Sequence, residues 1–151
     1  MLFRSVSTVG LEALLAHEGM PGHHFDGGIK LEANIPEFRR RTFMTAFGEG
    51  WGLYAESLGQ EMGLYDNPMA LLGRYSYELF RACRLVVDTG LHAKGWPRER
   101  AIRYLVDDCA QSPENATMEV LRYMAWPGQA LAYKIGELTI WDLRQIGRAH
   151  V

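Results

Sequence analysis

Residues 65–97 read YDNPMALLGRYSYELFRACRLVVDTGLHAKGWP, and this stretch decides the fold class. Asn67 carries a side-chain acceptor suited to capping a helix, and Pro68 fits the first helical position, where its missing amide proton costs nothing. From there the helix extends through Arg84 to about His92, where Lys94-Gly95-Trp96-Pro97 stops it. Working outward, a helix is expected from Ser7 or Thr8 through Leu11, Leu14 and Leu15 to His17-Glu18. Residues 21–36, punctuated by Pro21, Gly22, Gly27, Gly28 and Pro36, read as a loop or broken helix. A second helix starts near Pro36 and runs through Phe43, Phe47, Trp51, Tyr54 and Leu58. It contains Gly48, Gly50 and Gly52, each costing about 1 kcal/mol relative to alanine, so something is expected to pack very close to it. Downstream, PRERAIRYLVDDCA, SPENATMEVLRYMAW and PGQALAYKIGELTIWDLRQ give three more helices, and no segment shows the period-two pattern of a strand. The expectation is an all-α architecture of about six helices.

Bulk properties narrow the function. The chain has 151 residues, 48% hydrophobic and 23% charged, with a net charge of −2. That size suits one domain, and the charge balance gives no sign of a nucleic-acid partner. No apolar run approaches the roughly 18 residues that cross a membrane. Cys83 and Cys109 match no metal motif and read as buried small hydrophobes. Phe43, Phe47, Trp51, Tyr75, Tyr77, Phe80, Trp96 and Trp141 recur at helical spacing and are expected in the core, whereas EFRRRTF (37–43) reads as a solvated helix face. The ends are a separate matter. Back-translated, MLFRS (1–5) and IGRAHV (146–151) give largely reverse-complementary strings that resemble a sequencing-library adapter. Residues 6–145 are therefore expected to be the natural protein, an internal piece of a longer chain.

Chemistry concentrates in LLAHEGMPGHHFDGG (14–28). A zinc-hydrolase helix ordinarily places a second histidine four residues after the first, with a glutamate between them as base. Here that position is Pro21, and the next histidines are His23 and His24. In an unbroken helix His23 would lie about 240° round from His17, and His24 about 10 Å along the axis. Pro21 removes the amide proton that would bond to the carbonyl of His17, and Gly22 admits conformations closed to other residues. Together they can loop out two residues and bring His23 back towards His17. GEGWGLYAE (48–56) offers a third ligand, Glu49, 26 positions after His23, with Glu56 two turns further up the same face. One glutamate suits the metal and the other suits holding a ligand histidine from behind.

AHEGMPGHH, GEGWGLYAE, RLVVDTGLHAKGW and RYMAWPGQALAYKIG, in that order over nearly all of Val9 to Leu143, resemble the successive signatures of the domain of unknown function 885 family of bacterial proteins. That family is grouped with the gluzincin-type metallopeptidases, and its arrangement is similar to thimet oligopeptidase and carboxypeptidase Taq relatives. The resemblance implies part of a larger helical zincin-type scaffold holding one Zn2+ through His17, His23 and Glu49. It implies Glu18 as general base towards a zinc-activated water, and a peptide or other amide as substrate. Alignment leaves two extra residues before His23, so the second ligand is His23 or His24; with His23 as ligand, His24 is expected to contact the substrate or support a ligand from behind.

Further candidates come from the later motifs. Arg84, Asp88 and His92 recur every four residues, hence along one helix face. They form either an exposed ion-pair ladder or, as the resemblance implies, a site in which Asp88 orients His92 towards the substrate. Tyr133 sits where a related peptidase places a tyrosine that hydrogen-bonds the tetrahedral intermediate, with Tyr123 and Gln129 as nearby candidates. Arg122 either meets a substrate carboxylate or pairs with Glu119. The rivals are a metal-dependent amide hydrolase that is not a peptidase, and a non-catalytic helical binding or structural domain.

Overall fold

The computed structural model describes residues 8–149. Among them the chain is all-α: a 3-10 turn at Thr8–Gly10 leads into α1 (Leu11–Glu18), α2 (His23–Glu32), α3 (Glu37–Arg41), α4 (Thr45–Glu61) and α5 (Pro68–Ala93). Then follow α6 (Arg98–Asp107), α7 (Pro113–Ala125), a 3-10 turn at Gln129–Leu131 and α8 (Ala132–Ala149). The expected start of α5 is present in detail, with Asn67 Oδ1 accepting from the Ala70 amide at 2.9 Å and Pro68 in the first turn. The expectation for residues 1–5 lies outside the described residues, as do residues 150 and 151. α8 continues helically through 146–149.

Two expectations need correction. Residues 21–36 hold a full helix, α2, rather than a loop. Gly27 and Gly28 are tolerated in it, and Lys30 pairs with Asp26 one turn back. No residue of α2 is buried, so no buried apolar stripe marks it. The helix expected from Pro36 is instead two. Thr42 turns extended (φ −73°, ψ 125°), its hydroxyl donates to the Phe38 carbonyl, and α4 begins afresh at Thr45.

Two packing centres follow. In the first, Phe80, Cys83 and Val87 of α5 meet Ala101 and Leu105 of α6 and Val120 of α7. Cys83 and Cys109 are buried here as expected, but they are linked, a disulfide tying the end of α6 to the middle of α5. The bond closes a loop of 26 positions, worth about 3 kcal/mol in the chain-entropy account. Cys109→Ser is therefore expected to lower the denaturation midpoint by that amount of stability, and an unchanged midpoint would show that the link contributes nothing.

In the second centre, α4 lies against α8 with their backbones nearly touching. A Cβ on Gly136 would stand 1.8 Å from the Ala46 carbonyl oxygen, and one on Gly50 2.5 Å from the Gly136 Cα. The crossing admits glycine only, which accounts for Gly50 inside a helix. Edge-on contact of Tyr54 with Trp141 at 5.2 Å and a double hydrogen bond from Arg144 to Glu61 extend the same seam. α1 packs on both α4 and α5, and so stands between the two centres.

The aromatic expectation holds only in part. Phe80 is buried, and Trp51, Tyr77, Trp96 and Trp141 are half-buried, but Phe43 is 72%, Tyr75 47% and Phe47 42% exposed. The 37–43 stretch is a solvated face as read, with Arg41 and Arg40 reaching back to Glu37. Among the described residues no helix is long and apolar enough to cross a membrane.

Candidate metal centre

α1 ends one residue after His17, and α2 begins at His23. The two histidines thus belong to separate helices joined by Gly19–Gly22, not to one helix with a looped-out pair. The Met20–Pro21 peptide is cis. A Cβ on Gly22 would fall 1.8 Å from the His17 carbonyl oxygen, so the turn is tight enough to require glycine. The Trp51 indole N–H donates to the Pro21 carbonyl at 2.9 Å and fixes the turn to α4. The imidazoles of His17 and His23 then meet edge to face, with centroids 4.7 Å apart. His24 faces away. It is exposed and lines a hollow of about 480 Å³ with Gly27, Gly28 and Leu31.

α4 supplies the opposite wall. Glu49, Gly52 and Glu56 lie three and four residues apart on one face. The His17 ring lies directly over Gly52, where an added Cβ would come within 2.6 Å of Cε1 and Nε2. Lying there, His17 spans both glutamates: Nδ1–H donates to Glu56 Oε1 at 2.7 Å, and Nε2 is 3.8 Å from Glu49 Oε2. His23 Nε2 is 3.5 Å from the same Glu49 oxygen. A tetrahedral ion with bonds near 2.1 Å separates its ligand atoms by about 3.4 Å. The separations of Glu49 Oε2 from the two imidazole nitrogens, 3.8 and 3.5 Å, are close to that value, and the Glu56 bond fixes the tautomer that leaves Nε2 of His17 available. Glu18 clusters with the same two histidines: one of its oxygens and one ring nitrogen each of His17 and His23 lie within 4.8 Å of one another, a three-residue group that does not include Glu49. It is solvent-exposed, whereas His17 and Glu56 are buried.

Electrostatics match this arrangement. Burial pushes the Glu49 carboxyl up, but hydrogen bonds from His17, His23 and Tyr133 outweigh it and hold the group well below the usual carboxylate range. Burial opposes the charged form of His17, yet its bonds to Glu49 and Glu56 raise its pKa above that of an ordinary histidine.

The start of α8 closes the site. Gln129 Nε2 donates to Glu49 Oε1 and to the Tyr133 hydroxyl, each at 3.3 Å. Arg122 Nη2 reaches Gln129 Oε1 at 3.2 Å and the Tyr133 hydroxyl at 3.4 Å. The Tyr133 ring lies nearly parallel to His17 with centroids 6.3 Å apart, and the Arg84 guanidinium stands 4.7 Å over it. Arg81, which spacing did not single out, is buried 3.6 Å from Glu56. A charged residue on the core-facing stripe of α5 was the available signal.

Three candidates stand elsewhere. The Arg84, Asp88 and His92 face is not an exposed ladder: Arg84 and Asp88 are 4% and 2% exposed. Asp88 accepts the Gly128 amide at 3.1 Å, and His92 Nε2 meets the Tyr123 carbonyl at 3.0 Å. Both therefore brace the α7–α8 connection, and Asp88 is engaged by backbone rather than by His92. Tyr123 is a core residue whose hydroxyl accepts from Arg84 Nε at 3.1 Å, and burial pushes its phenol pKa up.

A helical scaffold holding a two-histidine, one-glutamate cluster defines the class of site. The chain belongs to DUF885, described as a bacterial protein family of unknown function, which matches residues 3–149. A crystal structure from Colwellia psychrerythraea, named "putative lipoprotein", is similar at 47% identity and TM-score 0.90, covering 94% of this chain and 25% of that one. One from Shewanella oneidensis, also named a "putative lipoprotein of unknown function", is 26% identical with TM-score 0.82, covering 92% of this chain and 26% of that one. The chain thus spans about a quarter of the length of these structures. Comparison with curated proteins gives no match.

Proposed function

We propose that the chain carries the catalytic centre of a zinc-dependent hydrolase that cleaves peptide bonds. The observation that supports this most is that Glu49 Oε2 stands 3.8 and 3.5 Å from Nε2 of His17 and of His23, with Glu56 holding His17 from behind. Zinc bound there would supply Lewis acidity, lowering the pKa of a water and polarising the substrate carbonyl. Glu18 takes the proton from the attacking water and hands it to the amine as the carbon–nitrogen bond breaks, which its exposed position permits. Tyr133 donates its O–H to the developing oxyanion, with Gln129 and Arg122 holding the hydroxyl in place.

The Cys83–Cys109 disulfide favours an oxidising, extracytoplasmic setting, in keeping with the lipoprotein description of the two similar structures. The activity is tested by incubating the protein with a mixed peptide library and reading new termini by mass spectrometry. Cleavage that stops with a chelator and returns with added zinc is the expected result. Cleavage indifferent to the chelator would contradict the proposal.

A further inference from the structure

Arg122 has a capacity that bracing Tyr133 does not use. It stands near the end of α7 with Nη2 against two neutral oxygens, those of Gln129 and Tyr133. The nearby carboxylate, Glu119, is shared: its Oε2 accepts from Arg84 Nη2 at 2.9 Å, and its other oxygen forms the longer ion pair expected with Arg122, 3.7 Å from Nη1. Arg84 is sealed, its side chain 5% exposed, but that of Arg122 is 40% exposed. The result is a solvent-facing guanidinium whose one carboxylate partner is long and shared, separated from Glu49 by the single side chain of Gln129. Its planar fork of five donors suits a carboxylate better than it suits lone amide and hydroxyl oxygens.

We infer that Arg122 anchors the free carboxylate of the substrate, so that the site removes amino acids from a carboxyl end. The inference rests on the zinc-peptidase reading. The α-carboxylate of a terminal residue lies within one residue, about 3.8 Å of chain, of the bond that releases it. Arg122 stands one side chain from a proposed zinc ligand, which places it at the matching remove. An internal bond presents a neutral amide there and leaves the guanidinium with only its long pairing to Glu119. The substrate class is therefore a peptide or N-acyl amino acid ending in a free carboxylate.

The test uses zinc-loaded protein carrying Glu18→Gln, so that a substrate binds without turnover. Benzoyl-glycyl-leucine and its C-terminal amide are titrated by calorimetry, with and without Arg122→Gln. The acid is expected to bind about tenfold to a hundredfold tighter than the amide. Arg122→Gln should erase the preference for the acid over the amide, bringing the ratio of their affinities close to one, with zinc content unchanged. Weakening of acid and amide by the same factor, with the preference for the acid intact, would show that Arg122 acts only as a brace for Tyr133 and overturn the anchor. Equal affinity of acid and amide for the parent, or no binding of either with zinc in place, would overturn it too. Those outcomes leave the hydrolase reading to stand on chelator-sensitive cleavage of longer peptides. A parent that takes up no zinc would sink both.

Discussion

Glu18→Gln is expected to cost about 10²- to 10⁴-fold in hydrolysis while leaving zinc content unchanged, the range typical of losing a general base. The two readouts separate because Glu18 and the ligands occupy different settings. Glu18 is exposed at the last position of α1, whereas His17, the residue before it, is buried between Glu49 and Glu56. Amidation removes the proton acceptor without removing bulk. Loss of zinc along with activity would mean that Glu18 is itself a ligand, an alternative its closeness to both histidines makes concrete. Full activity with zinc retained would remove it from the mechanism.

Gly52→Ala is the second large expected effect, and it arises from packing alone. The new methyl would stand 2.6 Å from two ring atoms of His17. Real contacts do not close to that distance, so the imidazole must move off the α4 surface. Moving it breaks the bond to Glu56 and shifts Nε2 away from Glu49 and His23. Loss of an outer partner of a metal-bound histidine typically costs 10- to 100-fold in metal affinity, and displacing the ring is expected to reach at least the upper end of that range. Competition with a zinc-binding dye measures it. Alanine favours a helix over glycine by about 1 kcal/mol, so the helix itself is not the casualty. Unchanged zinc affinity would show that His17 is not held over Gly52.

Sequence reading worked best where the signal is local. Asn67 and Pro68 define a helix start by backbone chemistry alone, and α5 begins there. The glycines of α4 pointed to close approach, and the neighbours prove to be α8 at Gly50 and the His17 ring at Gly52. α2 was missed because it buries no residue and carries two glycines, so neither apolar period nor propensity marks it. Cys83 and Cys109 lie 26 positions apart on different helices, and only the packing of α6 on α5 brings them together. Phe43 and Phe47 show what periodicity omits. It marks an apolar face, but it does not say whether anything lies against it.

Among the candidate site residues, Glu49 and Glu56 could be placed together from their interval on α4, whereas the meeting of His17 with His23 depends on the Gly19–Gly22 turn between α1 and α2. Asp88 and His92 share a helix face as spacing predicts, yet that face meets the α7–α8 connection. Spacing determines which residues lie together on a helix, whereas tertiary packing determines what they meet. Arg81 escaped for the same reason, since its role depends on Glu56 from another helix.

The central claim is that His17, His23 and Glu49 form one zinc site drawn from three helices. Zinc content per chain, measured after purification without chelator for the parent beside Glu49→Gln, tests it most directly. The account predicts about one zinc in the parent and much less in a variant that remains folded. A folded parent without zinc, or equal zinc in both, would contradict it.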